Sequence, residues 1–273
     1  MIGAMTEIIC ADTVTALGPE HRGQVLIGGS HGGVYAAYLA AKSGVRAVIL
    51  HNAGIGKDGA GIGGLAFLDR IDMPSAALDH MSARIADGRD QLARGVLSHV
   101  NEAAARLGCE AGMTCRDAAE RMTGAAQWEG AAPEFGESRF LLRWRDGEPE
   151  VWGVDSTALI APIDAGRVMI TASHGALFGS RQPIAGPPLA AIFNDAGGAA
   201  DDSGFARLPA LDDEGVIAAT VAAMSARIGD ARSAWETGVL SHVNEHARDA
   251  GIAPGADLPT FADKAIAAGE GGC

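Results

Sequence analysis

The side chains of this sequence that could carry chemistry sit just after short apolar runs. Asp12 follows one such run, and Ser30-His31-Gly32 follows the next. A carboxylate that orients an imidazole, a histidine that moves a proton and a serine that attacks or hydrogen-bonds a substrate oxygen together make a hydrolytic set. Ser82-Ala83-Arg84 adds a guanidinium suited to bidentate capture of a carboxylate or phosphate, which lysine cannot reproduce. Asp12, Ser30 and His31 are therefore the expected catalytic groups, and Gly32, Asn52, Asp58, Ser82 and Arg84 the expected substrate contacts. Each also has a purely structural reading. Asp12 would close an Asx-turn, Ser30 would cap a helix, and Arg84 would pair with Asp87 to fix a turn.

The same signatures recur 143 residues downstream without a gap. Asp12 faces Asp155, Ser30-His31-Gly32 faces Ser173-His174-Gly175, Asn52 faces Asp195, Asp58 faces Asp201, and Ser82 and Arg84 face Ser225 and Arg227. MSARI at 81–85 returns at 224–228, and GVLSHVNE at 95–102 returns at 238–245. Self-similarity at one fixed offset predicts an internal tandem duplication. The expected domains are a first α/β repeat over 1–130 and a second over 131–273, related by a pseudo-two-fold and opened by a hairpin over 138–153. Asp146-Gly147 suggests a type I′ turn for that hairpin.

Within each copy the apolar runs predict the elements that must position these groups. Strands are expected up to Asp12 or Asp155, over 24–27 or 167–170, over 46–50 or 189–193, and over 75–79 or 218–222. Helices are expected from about Arg89 or Arg232. Strands alternating with helices indicate α/β halves with mostly parallel sheets. After Ser-His-Gly the first copy is alanine-rich and helical, whereas the second carries three prolines that remove the helix. GVLSHVNE is expected to be helical, with Leu92, Val96, His99 and Ala103 on one face.

Gly28-Gly29-Ser30-His31-Gly32 fits GxSxG and locally resembles the nucleophile elbow of the α/β-hydrolases. A strand ending in Ser-His-Gly also resembles the catalytic-histidine strand of caspase-like peptidases. That likeness implies a catalytic cysteine at the end of the following strand, where this chain has His51-Asn52-Ala53-Gly54 or Asn194-Asp195-Ala196-Gly197, which excludes cysteine-peptidase chemistry. Gly54-Ile55-Gly56-Lys57-Asp58-Gly59 matches GxGxxG outside the first strand–helix unit, so it reads as a mobile active-site loop rather than a dinucleotide cradle.

A formal net charge of −13 without a Lys/Arg cluster argues against nucleic acid and anionic membranes as partners. No apolar run is long enough for a spanning helix, and the opening residues do not read as a secretion signal, so a cytoplasmic protein is expected. Cys10, Cys109, Cys115 and Cys273 form no CxxC pair. The expected function is hydrolysis of a small polar, anionic amide or ester without a cofactor, the first copy holding the main site. Non-catalytic metabolite binding, a divalent metal held by Asp12, His31 and Asp58 or Asp195, and homo-oligomerisation stay open.

Overall fold

A computed structural model describes residues 6–179 and 184–270. The chain folds as two compact units. The first comprises Met1–Ile55, Gly59–Gly136 and Ala199–Asp201; the second comprises Gly56–Asp58, Glu137–Gly198 and Asp202–Cys273.

The first unit is built on strands β1 (Ile8–Ala11), β2 (Val25–His31), β3 (Ala47–His51), β4 (Ser75–Leu78) and β5 (Leu97–Val100), side by side in that order. The first four are parallel and β5 is antiparallel. Helices α1 (Val34–Ser43), α2 (Gly63–Asp69), α3 (Gly88–Arg94), α4 (Glu102–Arg106) and α5 (Cys115–Met122) complete it. Alternation along the strands makes two cores. Leu26, Val48 and Leu50 pack with Ala36, Ala37, Ala40 and Phe67 on one face. Val25, Ile27, Ala47 and Ile49 pack with Cys115, Ala118, Ala119 and Met122 on the other. Burial on both faces is why these strands read as continuous apolar runs.

The second unit carries β6 (Arg139–Arg143), β7 (Val151–Val154), β8 (Val168–His174), β9 (Ala190–Asn194), β10 (Ile217–Val221) and β11 (Leu240–Val243), again in sequential order. Strands β7 to β10 are parallel, and β6 and β11 are antiparallel edges. Helices α6 (Arg207–Asp212), α7 (Ala231–Thr237), α8 (Glu245–Asp249) and α9 (Leu258–Glu270) pack on this sheet. The described parts of the proline-bearing stretch, 175–179 and 184–189, contain no helix; 180–183 lie outside the described residues. In the first unit a Cβ on Gly64 would lie 2.7 Å from Ala37 Cβ, so only glycine lets α1 approach. The matching residue of the second unit is Arg207, whose buried guanidinium donates to Ala176 O at 2.7 Å and lies 4.9 Å from the Phe193 ring centroid.

Two expectations are corrected. GVLSHVNE is not helical: α3 stops at Arg94, residues 97–100 form the antiparallel edge strand β5, and Asn101 caps α4. The backbone turns extended at Gly95 (ψ 143°), a position that only glycine fits because a Cβ would lie 2.4 Å from Gln91 O and 2.9 Å from Leu78, and the β-branched Val96 and Val100 favour extended backbone. The β6–β7 hairpin forms, but not on a type I′ turn. Of Asp146 and Gly147 only the glycine has a positive φ, 77°, whereas type I′ needs two, so a longer connection joins the strands. Among the described residues no helix is long and apolar enough to cross a membrane.

Candidate functional site

The four parallel strands of the first unit end together, and most of the expected site residues lie at this carboxyl edge. Most of their hydrogen bonds go to backbone. Ser30 Oγ accepts Val14 N–H at 3.1 Å, tying the turn after β1 to β2. Asp12 Oδ1 accepts Gly88 N–H at 3.2 Å at the start of α3. Ser82 Oγ donates to Asp79 O at 2.7 Å and accepts Val96 N–H at 3.0 Å, closing the turn between β4 and α3. Asn52 Oδ1 accepts Gly54 N–H and His80 N–H, each at 3.0 Å, and Asn52 Nδ2 donates to Ser98 Oγ at 3.0 Å.

The second unit repeats these roles. Ser173 Oγ accepts Thr157 N–H at 3.0 Å, Asp155 Oδ1 accepts Ala231 N–H at 3.0 Å, and Ser225 Oγ donates to Ala222 O at 2.7 Å. Asp195 Oδ1 accepts Gly197 N–H and Ala223 N–H at 2.9 Å. The eight-residue match at the edge strands follows the same logic. Asn101 Oδ1 accepts Ser75 and Ala104 N–H while its Nδ2 donates to Met73 O, and Asn244 makes the same three bonds to Ala218, Ala247 and Val216.

The structural reading of Arg84 pairs it with Asp87, whereas its Nε pairs with Asp201 at 2.9 Å within the first unit. Arg227 pairs with Asp58 at 2.9 Å within the second, and also with Asp230. These pairs are substantially exposed, so solvent screens them strongly.

Ser30 and His31 follow each other on β2, and successive strand residues point to opposite faces. The serine faces Val14, while the half-buried His31 ring lies against Gly33, where an added Cβ would sit 2.7 Å from it. His31 Nδ1 accepts Gly33 N–H at 3.1 Å, which puts the ring proton on Nε2. Burial lowers its pKa to about 4, so the ring is neutral at pH 7. His174 Nδ1 accepts Ala176 N–H at 3.3 Å in the same way; its residue is only 5% exposed and it lies edge-on to Phe178.

The register pairs His31 with His51, a fully buried histidine that none of the repeated signatures singles out. Its Nδ1 accepts Ala53 N–H at 3.1 Å and its Nε2 donates to Ala83 O at 3.2 Å. Burial is the main reason that its pKa falls to about 4, with the neighbouring Ala83 carbonyl opposing. The second unit has Asn194 in this place, with Oδ1 accepting Ala196 N–H at 2.9 Å and Nδ2 donating to Ala226 O at 3.3 Å. His51→Asn is therefore expected to cost less than about 1.5 kcal/mol at pH 7, while His51→Leu, which orphans a buried N–H and C=O, costs about 2–4 kcal/mol. Because the folded pKa lies below the ordinary 6.5, the contribution of neutral His51 is full above pH 6.5 and is lost as pH falls from there to about 4. Denaturant titrations across that interval should show a shallower decline in His51→Asn than in the wild type.

The glycine-rich loop is packed by close backbone contact. A Cβ on Gly61 would fall 2.1 Å from Asn52 O, and one on Gly32 would fall 2.7 Å from Gly61 O. Cys109 and Cys115 are buried and Cys10 is half-buried; burial raises all three thiol pKa values, that of Cys115 to about 12. Among the described residues no three His, Cys, Asp or Glu side chains gather closely enough to hold a metal ion. Comparison with known protein families, with curated proteins and with solved structures finds no match to this chain.

Proposed function

We propose that the first unit recognises a small oxygen-bearing metabolite, carbonyl or carboxylate, at the carboxyl edge of its parallel sheet, with His31 donating Nε2–H to the ligand oxygen. The observation that carries this reading is the Gly33 N–H bond into His31 Nδ1, which makes the neutral ring a donor at Nε2. Open α/β sheets bind ligands outside the carboxyl ends of their strands, which is where this ring lies. The first unit is favoured because His31 is more exposed than His174, which is buried beside Phe178.

Hydrolysis of an amide or ester at the same edge is the second reading. There the neutral His31 would polarise the substrate carbonyl as an uncharged donor. A water would attack the carbonyl carbon, its proton passing to the departing amine or alkoxide as the C–N or C–O bond breaks, because Ser30 faces Val14 and not the His31 ring. His31 as a general base would need the opposite tautomer and the loss of the Gly33 bond. Neither reading needs a cofactor, a nucleic acid or a membrane. We infer too that the two units descend from one ancestral repeat, a reading supported by the constant sequence offset and by matched backbone bonds of Asp12 and Asp155, Ser30 and Ser173, and Asn101 and Asn244.

A thermal-shift screen of small carboxylates, amides and esters tests the reading. The wild type should be stabilised by a ligand that His31→Ala binds about tenfold or more weakly, a loss of about 1.4 kcal/mol, with His31→Gln recovering part of it. Unchanged binding in His31→Ala would overturn recognition through this residue. Retained binding with lost turnover would favour hydrolysis.

A further inference from the structure

We infer a second small-molecule site in the first unit, a cleft for a small aromatic carboxylate between the carboxyl-terminal half of α1 and the segment 128–134. The cleft, about 260 Å³, is lined by Arg22, Tyr38, Lys42, Trp128 and Glu134 together with small residues. It is distinct from the strand-end edge. Gly33 precedes the first turn of α1 and Lys42 lies in its last, roughly 13 Å away along the helix axis.

Two glycines hold its chemistry in place. A Cβ on Gly130 would fall 2.4 Å from the Trp128 ring, so the bare Gly130 backbone lies against the indole. Gly44, at φ 77°, leaves the space beside the Arg22 guanidinium, where a Cβ would fall 2.8 Å from Nη1. The strand of chain carrying Trp128 is fastened on one side by Gln127 Nε2, which donates to Gly44 O at 3.0 Å, and by Glu129, paired with Arg22 at 2.5 Å. Trp128 and Ala132 pack against the α1 core. The Lys42 ammonium stands 5.5 Å from the Tyr38 ring centroid.

An indole and a phenol edge beside the Lys42 ammonium match a planar ring bearing a negative group. The ring would contact Trp128 and Tyr38, and the carboxylate would meet Lys42, Arg22 being already paired with Glu129. The volume lies below that of drug-sized sites and admits one ring with its substituent. The second unit, without a described helix after Ser-His-Gly, offers no such α1 face.

Calorimetric titration of the full chain with benzoate tests this, with benzyl alcohol as the uncharged comparison. Benzoate should bind saturably at one site in the millimolar range or tighter, and benzyl alcohol about tenfold or more weakly. Lys42→Met and Trp128→Ala should each weaken benzoate by about tenfold while His31→Ala leaves it unchanged. Lys42 is exposed, so its replacement spares the fold even if Trp128→Ala does not. No saturable heat, or undiminished affinity in Lys42→Met, would overturn the site. Loss of benzoate binding in His31→Ala would instead assign the ligand to the strand-end edge.

Discussion

Replacing Asp164 with alanine is expected to lower the opening free energy of the β6–β8 amides by about 3–5 kcal/mol at pH 7, read by native-state hydrogen exchange. Asp164 is completely buried, yet it is charged. Its carboxylate accepts from Arg139 Nη1 at 2.8 Å and Nη2 at 2.5 Å, from Arg167 Nη1 at 3.0 Å and from Ala161 N–H at 2.9 Å. Arg139 lies on the edge strand β6 and Arg167 just before β8, so one carboxylate fastens both to the turn after β7. The two guanidinium groups also lie 4.7 and 5.3 Å from the Trp152 ring centroid. Alanine would leave the partly buried Arg139 without its anion, while Arg167 keeps Glu150 at 2.9 Å, and an uncompensated cation costs more than the network contributes. Arg139 foremost holds the Asp164 pKa down at about 2. Its contribution is therefore complete above the ordinary value of 3.8 and is lost as pH falls from there to about 2. The wild type and Asp164→Asn should converge across that interval. A change below about 1 kcal/mol in Asp164→Ala would show that the network does not hold β6.

Gly61→Ala carries the largest expected effect at the candidate site. Gly61 does not have a positive φ, so its requirement is space and not backbone handedness. The added methyl would fall 2.1 Å from Asn52 O and 3.0 Å from Ile55 O, and Gly61 N–H already donates to Ile55 O at 2.8 Å. Backbone obstacles cannot rotate away, so the loop must move. The expected cost is about 3 kcal/mol or more, with loss of the Asn52 position and of strand-edge ligand binding. Gly59→Ala is the control. Its nearest neighbour would be 3.9 Å away, and only its φ of 68° is unfavourable, a cost of about 1–2 kcal/mol. Equal effects of the two substitutions in chemical denaturation would contradict the close-approach argument.

The strands of both sheets were legible because burial on two faces leaves apolar runs that need no partner information. The edge strands β5 and β11 were not. In GVLSHVNE the helical and strand periods both fit a few residues, and the deciding contact, Gly95 against Leu78, is non-local. The strand-end placement of the candidate residues was legible, and the bonds they make were not. Identity between the halves picked out Asp12, Ser30 and Ser82, and the structure gives each a backbone bond with a counterpart in the second unit. The same filter hid His51, because asparagine makes equivalent bonds at 194. The missed signal was a histidine ending the strand beside the one that ends in His31. Arg84 illustrates the opposite limit, since no local spacing reveals that its partner is Asp201.

The proposed recognition rests on His31 being a neutral Nε2–H donor and not a base. Two-bond proton–nitrogen correlation of the imidazoles, with His31→Gln used to assign the signal, reads the tautomer directly. The expected result is a single Nε2–H form from pH 7 down to the vicinity of pH 4, where burial places its titration. An Nδ1–H form at neutral pH, or an imidazolium already formed near pH 6, would contradict it.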